Sequence, residues 1–147
     1  MPLNDQKNIS EIILSVKLLC SKQEKCKSEI IEKLSRTNLS ISKIEEIISM
    51  LENEKFIDEE RYVNFYIRDK LKFNKWGRIK LKYYLKQKRI PDSIITKGLE
   101  NIDETEYLNI LKSEIKKKSK TNSSKDKVIR FAQSKGFELE LIIKLLY

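Results

Sequence analysis

Apolar residues recur at helical spacing along the whole chain. Ile12, Val16 and Cys20 are four residues apart, and similar runs follow at residues 30–34 and 41–51. This spacing places the side chains on one face of an α-helix. Each run therefore predicts a helix with one buried face.

The apolar pattern also repeats at long range. Five positions in the first third of the chain recur 51 residues later, and again after a further 47 residues. We interpret this as three copies of a three-helix module, at residues 8–54, 58–103 and 105–147. Such small units bury their apolar faces by packing in series, so the sequence predicts an all-α protein, an elongated tandem array of three three-helix modules. The recurring positions are Ile30, Leu34, Leu39, Ile44 and Ile48; Leu81, Leu85, Ile90, Ile95 and Leu99; and Val128, Ala132, Phe137, Ile142 and Leu146.

Local signals predict where some helices begin. A serine followed three residues later by an acidic residue fits a capping box, and this pattern predicts helix starts at Ser21, Ser42 and, more weakly, Ser123. Pro91 suits the first position of a helix. The polar and basic stretch of residues 116–125 predicts a solvated loop, in preference to a dedicated binding arm.

The amino-acid composition excludes several kinds of fold, catalytic group and metal site. The 147 residues include only 3 Gly and 2 Pro, which disfavours hairpin-rich β folds because their tight turns need glycine. The absence of histidine excludes Ser-His and Cys-His nucleophile pairs and His-ligated metals. Cys20 and Cys26 are too few for a four-cysteine zinc site; a disulfide between them stays open, although buried free thiols are favoured. Because no glycine-rich phosphate loop occurs either, we expect no metal, no cofactor and no enzymatic activity.

The sequence also bears on location. The first residues are polar and lack the apolar segment of a signal peptide. No run approaches the ~20 apolar residues of a membrane span. We expect a cytoplasmic protein that makes no membrane contact and acts by binding, as a monomer.

Charge is concentrated in the middle of the chain. The net charge of the whole chain is +9, and residues 61–100 contain 12 basic and 3 acidic side chains. Arg78, Lys82, Lys86 and Arg89 are spaced to share one face of a helix beginning near Gly77. Four like charges on one face repel each other, and an anionic partner such as nucleic-acid phosphate or an acidic protein groove would offset that repulsion. The other basic candidates for partner contact are Arg68, Lys72, Lys75 and Lys88.

Aromatic residues are concentrated in the same region. We expect Tyr66 and Tyr84 to fill the core of the middle module. Trp76 lies in the short connection between two predicted helices. Its ring could close the core or project for stacking on a base or a partner side chain, and both interpretations stay open.

Two segments of the middle module resemble a known family. The run FIDEERY at residues 56–62 and the run KWGRIKL at residues 75–81 are similar to the RecX family of recombinase regulators. That family has a D-[DE]-x-R-[FY] motif at the start of its middle repeat, then a Gly eight residues before a Leu, and a basic second helix. Arg89 departs from the pattern, because many relatives have Gly there; since Arg adopts the left-handed conformation less readily, the turn would differ or Arg89 would serve binding.

The resemblance implies a non-enzymatic modulator of the RecA recombinase. Family members lie in the groove of the filament that RecA forms on single-stranded DNA, and they usually suppress its strand exchange, ATPase and co-protease activities. The resemblance places Asp58 and Arg61 in the starting motif, Gly77 at the turn, and Arg78, Lys82, Lys86 and Lys88 on the basic helix. Asp58 and Arg61 also fit a structural role as a helix cap and its ion-pair partner, and Gly77 fits a backbone role through positive φ or close approach.

Two other functions are weighed against this one. The basic helix could enter a DNA major groove as in helix-turn-helix proteins, with free DNA as the partner, although a lysine-rich face has few residues suited to reading base edges. A carboxylate-dependent nuclease is disfavoured because acidic pairs such as Glu45 and Glu46 fit solvated helix faces better than a converging site.

Overall fold

The structure is a computed structural model and describes residues 8–147. Its regular elements in this range are all helical, which confirms the all-α prediction. In chain order the α-helices are α1 (Ile9–Lys22), α2 (Lys27–Ser35), α3 (Ile41–Asn53), α4 (Glu59–Asp69), α5 (Arg78–Gln87), α6 (Asp92–Glu100), α7 (Glu104–Ser119), α8 (Lys125–Ser134) and α9 (Leu139–Leu146); a π-helical turn, Lys70–Asn74, follows α4.

The repeat is visible in where the helices begin. The residues that cap α2, α5 and α8 at their N-termini are Cys26, Gly77 and Ser124, which are 51 and then 47 residues apart. The caps of α3, α6 and α9 are Ser40, Pro91 and Glu138, with the same two spacings. Of the fifteen recurring apolar positions, twelve are buried and the other three, Leu39, Leu99 and Leu146, are half-buried. Equivalent helices therefore bury equivalent faces.

The chain folds as two compact units, and the described residues up to Tyr62 form the first. In this unit α2 packs against α3, and one apolar cluster joins them to α1. The fully buried side chains at its centre include Val16, Ile30, Leu34 and Leu51. Burial of each such side chain contributes about 1.5–3 kcal/mol to stability, which offsets part of the conformational entropy that the chain loses on folding.

The second unit contains residues Val63–Tyr147. Here α5 packs against α6, and α7, α8 and α9 pack against one another. The largest fully buried side chains are Tyr107 on α7 and Phe137 before α9, whose ring centroids are 5.3 Å apart. The Tyr107 hydroxyl reaches the start of α5, where it accepts the backbone N–H of Arg78 at 2.9 Å.

Several local predictions are wrong by a few residues. Ser21 lies inside α1 because the apolar stripe of that helix continues to Cys20. The cap of α3 is Ser40 rather than Ser42, and that of α8 is Ser124 rather than Ser123. Pro91 precedes α6 instead of beginning it.

Two further sequence interpretations are settled by the structure. The predicted loop at residues 116–125 is helical through Ser119, so α7 continues into the lysine-rich run. Cys20 and Cys26 are buried free thiols, and burial raises the pKa of both. None of the helices in the described residues combines the length and hydropathy that spanning a bilayer requires.

Candidate interaction surface at the fifth helix

Helix α5 begins against the backbone of the turn between α8 and α9. The N–H of Gly77 donates to the carbonyl oxygen of Lys135 at 2.7 Å, and the N–H of Ile79 donates to that of Gly136 at 3.0 Å. A Cβ at Gly77 would collide with the Gly136 carbonyl and with the backbone nitrogen of Phe137. The φ of Gly77 is −83°, so close approach, and not positive φ, is what requires glycine here.

The next residue, Arg78, is the centre of an ion-pair cluster. Its backbone N–H donates to the hydroxyl of Tyr107 at 2.9 Å, and its guanidinium lies 3.9 Å from the centroid of that ring. The guanidinium also pairs with Glu138 at 2.7 Å and with Glu104. The Tyr107 hydroxyl in turn donates to Glu138. A single side chain thus links the starts of α5, α7 and α9.

The cluster raises the pKa of two of its members, Tyr107 and Arg78. Burial raises the pKa of Tyr107, and the hydrogen bond to Glu138 raises it further. Partial burial disfavours the charged form of Arg78, but the hydrogen bond and charge of Glu138 outweigh this and raise the pKa of the guanidinium. Both groups therefore keep their protons at every physiological pH.

This geometry shows that the four residues of the predicted basic stripe lie in two different environments. Arg78 is half-buried and its charge is matched by carboxylates of its own chain, whereas Lys82, Lys86 and Arg89 are exposed. Lys86 lies 3.9 Å from Asp92 in an exposed pair, and such pairs contribute little stability. The three exposed residues remain candidates for partner contact, and Arg78 has a structural role that the spacing did not reveal.

Arg89 ends the helix in the left-handed conformation, with a φ of 59°. Gly136, which is 47 residues later in the repeat, has a φ of 93°. The turn therefore keeps the conformation expected of glycine even though the residue is arginine. A non-glycine residue there costs roughly 1–2 kcal/mol.

Trp76 forms the centre of an aromatic cluster beside α5. Its ring stacks on Tyr84 with centroids 4.9 Å apart and meets the edge of Tyr66 at 6.5 Å. The ammonium groups of Lys70 and Lys80 lie 5.3 and 4.8 Å from its centroid. Because Trp76 is half-buried and Tyr84 is 37% exposed, the cluster closes the core on one side and reaches the surface on the other. Tyr84 is thus less buried than the sequence suggested.

The remaining basic candidates differ in how far they are exposed. Arg68 and Lys72 are exposed, and the Lys72 ammonium lies 5.2 Å from the exposed ring of Phe73. Lys75 is half-buried and left-handed, with a φ of 56°, where the π-helical turn ends. Lys88 is half-buried and engaged in interactions of its own. Of this group, Arg68 and Lys72 present their charge to solvent most openly.

The two charged residues of the starting motif are part of the first unit. Asp58 accepts the backbone N–H of Arg61 at 3.0 Å, which is an N-cap of α4. The Arg61 guanidinium donates to Glu24 at 2.6 Å and to the carbonyl oxygens of Lys55 and Phe56 at 3.0 and 3.3 Å. Arg61 thus ties the end of the segment after α3 to the α1–α2 connection.

The partners of Arg78 were missed from sequence, because Glu104 and Glu138 are 26 and 60 residues away along the chain. In the first unit the residue equivalent to Arg78 is Lys27, which pairs with Glu52 at 2.9 Å. Glu52 is near the end of α3 and Glu104 begins α7, so the repeat does not align the two acidic partners. Among residues 8–147 no group of three or more Cys, Asp or Glu side chains is arranged to hold a metal ion.

Comparison with known proteins supports a single family. A family model described as the second three-helix domain of RecX matches residues 58–99. The chain is 35% identical over 142 residues to the regulatory protein RecX of Clostridium tetani (strain Massachusetts / E88), an alignment that covers 86% of this chain and 63% of that protein. It is 31% identical over 131 residues to the regulatory protein RecX of Clostridium perfringens (strain 13 / Type A), covering 81% and 59%. The chain therefore spans about three fifths of the length of these two relatives.

Solved structures show the same fold. The crystal structure of RecX from Lactobacillus salivarius superposes with a TM-score of 0.84 at 22% identity, covering 94% of both chains. A second crystal structure of a regulatory protein RecX gives a TM-score of 0.81 at 21% identity, covering 92% of this chain and 70% of the other.

Proposed function

The chain belongs to the RecX family of regulatory proteins, and from this membership we propose that it is a negative regulator of the RecA recombinase. It binds in the groove of the RecA filament on single-stranded DNA and lowers the ATPase, strand-exchange and co-protease activities of that filament. Its place is in homologous recombination, DNA repair and the SOS response, in the cytoplasm. It acts as a monomer, through binding and without catalysis.

The observation that supports this proposal is the exposed basic face of α5. Lys82, Lys86 and Arg89 present their charge to solvent there. The charge is also uneven between the two units: residues 63–147 contain 21 basic and 10 acidic side chains, whereas residues 1–62 contain 10 and 12. A filament groove exposes acidic protein surface and DNA phosphate, so the second unit is the one that electrostatics would draw into it.

The start of α5 gives this face a fixed orientation. Gly77 and Ile79 bind the α8–α9 turn through their backbone, and Arg78 binds carboxylates at the starts of α7 and α9. Because the helix is held at the end where its exposed charges begin, little conformational entropy is lost when they meet a partner. Arg78 thus positions the face while Lys82 and Lys86 make the contacts.

The test is DNA-dependent ATP hydrolysis by the cognate RecA on single-stranded DNA, titrated with this protein at fixed moderate salt. We expect suppression well below one molecule per RecA protomer. The double substitution Lys82→Gln, Lys86→Gln should raise the half-inhibitory concentration by roughly tenfold, about 1.4 kcal/mol, and leave helicity unchanged. The matched control is Lys22→Gln, Lys33→Gln, which removes two exposed charges from the first unit.

Two results would contradict the proposal. An inhibitor unaffected by the loss of Lys82 and Lys86 would remove the basic face from the mechanism. No effect on RecA that is demonstrably assembled into filaments would favour the second candidate, a basic helical DNA-binding protein that acts without RecA, of the non-specific or helix-turn-helix type. The exposed lysines of α5 suit that function through phosphate contacts, which depend steeply on salt.

A further inference from the structure

A band of alternating aromatic rings and lysine ammonium groups crosses the second unit from α5 to the end of α7. It is distinct from the exposed stripe on α5, and most of it lies outside the segment whose motif points to the family. Its members, in spatial order, are Tyr84, Trp76, Lys80, Lys135, Phe131 and Lys118. We call this set the aromatic–lysine band.

The first half of the band is continuous in space. Tyr84 stacks on Trp76 with centroids 4.9 Å apart and ring planes 25° from parallel. The Lys80 ammonium lies 4.8 Å from the Trp76 centroid and also donates to the carbonyl oxygen of Ser134 at 3.4 Å. Lys80 therefore joins the Trp76 cluster to the C-terminal end of α8.

The second half continues from that end of α8. Lys135 donates to the carbonyl oxygen of Asn74 at 3.1 Å, just before Trp76, and its ammonium lies 5.8 Å from the ring of Phe131. The same ammonium lies 3.8 Å from the buried carboxylate of Glu114, which matches part of its charge. The Lys118 ammonium lies 5.3 Å from the same ring. The half-buried ring of Phe131 is thus flanked by two cations, as Trp76 is flanked by Lys70 and Lys80.

Resting on the proposed function, we propose that the aromatic–lysine band binds a single strand of nucleic acid directly. A single strand alternates bases, which stack on aromatic faces, with phosphates, which attract ammonium groups. Cation–π contacts at surface sites are worth only about 0.5–1 kcal/mol, so a phosphate can draw the Lys118 ammonium from the ring of Phe131 and leave that face to a base. An acidic protein surface would use the lysines but leave the rings without a matching group.

The composition of the band also predicts that it does not distinguish one base sequence from another. Stacking accepts every base, and the band contains no Asn, Gln or Arg side chain suited to pairing with a base edge. We therefore expect binding with little sequence preference and with strong salt dependence.

The sequence supplies a probe for this site. Trp76 is the one tryptophan of the chain, so its fluorescence reports on the centre of the band. Titration of the full chain with an oligothymidylate of about 15 nucleotides, within the usual range of single-strand sites, should quench the emission to saturation. The logarithm of affinity should fall linearly with the logarithm of salt concentration, by about 0.7 per phosphate contact.

Two substitutions test the half of the band that is remote from Trp76. Phe131→Leu keeps an apolar side chain but removes the stacking face, and should weaken the affinity roughly tenfold, since stacking is worth about 1–3 kcal/mol per base. Lys118→Gln should reduce the salt slope by about 0.7. The control is Lys112→Gln, an exposed lysine on the same helix, which should change neither quantity. Circular dichroism checks that each variant is folded. If Phe131→Leu does not fold, Lys118→Gln alone still tests the band.

The outcomes separate this inference from the proposed function. Absence of quenching and of binding, or folded variants at both positions with the affinity and salt slope of the unaltered chain, would overturn the inference. Loss of RecA inhibition on Lys118→Gln without any oligonucleotide binding would assign the band to a protein surface, which overturns the inference and leaves the proposed function. Binding that depends on Phe131 and Lys118, in a chain without effect on RecA, would support the band and reject the proposed function.

Discussion

Helices α2 and α5 begin at equivalent places in the repeat and are held there by different groups. At α2 the cap is Cys26, and the N–H of Lys27 donates to the carboxylate of Glu59 at 2.9 Å. At α5 the cap is Gly77, and the N–H of Arg78 donates to the hydroxyl of Tyr107 at 2.9 Å. Each start satisfies N–H groups that have no partner within the helix, with a charged acceptor in one case and a neutral one in the other.

The two helix starts differ in how closely the backbone of the cap residue approaches the neighbouring segment of the chain. Cys26 has room for a side chain, whose sulfur lies 3.3 Å from the Ser28 hydroxyl and 3.4 Å from Glu29. Gly77 has no such room, because the α8–α9 turn occupies the position of a Cβ. The start of α2 is built from side chains that can adjust, and the start of α5 is built from backbone that cannot. The second start therefore fixes its helix more rigidly, and this helix is the one that displays the basic face.

Replacing each cap residue with alanine should give the largest difference in stability between the starts of α2 and α5. Gly77→Ala forces the turn away from α5, and we expect it to lower the free energy of unfolding by roughly 3 kcal/mol, the upper end for overpacking at a site that cannot relax. Cys26→Ala loses only weak sulfur contacts and should cost about 1 kcal/mol, as for other cap replacements. Urea unfolding followed by circular dichroism measures both. Equal losses at the two caps would show that backbone contact does not distinguish them.

A smaller difference in stability is expected from replacing Arg78 with lysine and, separately, Lys27 with arginine. Arg78→Lys keeps the charge but cannot reach both carboxylates or stack flat on Tyr107, and should cost about 1–2 kcal/mol because the cluster is only partly buried. Lys27→Arg changes an exposed pair with Glu52 and should alter stability by less than ~0.5 kcal/mol. The midpoints of urea unfolding give the comparison. A neutral Arg78→Lys would mean that one ion pair suffices at α5.

The exchange also bears on function. Under the proposed function, if Arg78 only positions the basic face, inhibition of RecA by Arg78→Lys should weaken in proportion to the loss of native structure. Folded Arg78→Lys at low temperature should then inhibit nearly as well as the unaltered chain. If Arg78 contacts the partner through its planar group, inhibition falls while the protein is fully folded. Inhibition and circular dichroism measured on the same samples distinguish these cases.

Much of the fold could be predicted from the sequence because it depends on local periodicity. The apolar positions of the repeat are buried wherever helical spacing places them together, and this needs no knowledge of the rest of the chain. Exact helix ends could not be predicted in this way. A capping pattern such as that of Ser21 also occurs inside helices, and at α1 the apolar stripe that continues to Cys20 keeps Ser21 within the helix.

The candidate site was less accessible to such reasoning. Spacing placed Arg78 on the face of Lys82 and Lys86, but its environment is set by Glu138, which is 60 residues away in sequence. Lys118 was assigned to a loop because the run around it is polar, yet lysine is a good helix former and α7 includes it. What a residue contacts across modules depends on tertiary packing, and helical spacing within one module does not reveal it.

Changing the pH should produce the smallest of the three effects, by acting on one acceptor and not on the other. Burial raises the pKa of Glu59, and the nearby Glu52 and Glu29 raise it further, against the opposing influence of the Lys27 N–H and charge. A raised pKa in the folded state means that Glu59 favours folding most below the pKa of an unfolded glutamate, and that this contribution is lost as pH rises through the folded pKa. Glu59→Gln keeps an oxygen acceptor for the Lys27 N–H but does not titrate. The stability of the unaltered chain minus that of Glu59→Gln should therefore decrease from pH 4 to pH 7 in urea unfolding. The same difference for Tyr107→Phe should stay constant, because the tyrosine keeps its proton throughout that range. A constant difference for Glu59→Gln would mean that solvent reaches this carboxylate, and that the two helix starts differ in geometry but not in burial of charge.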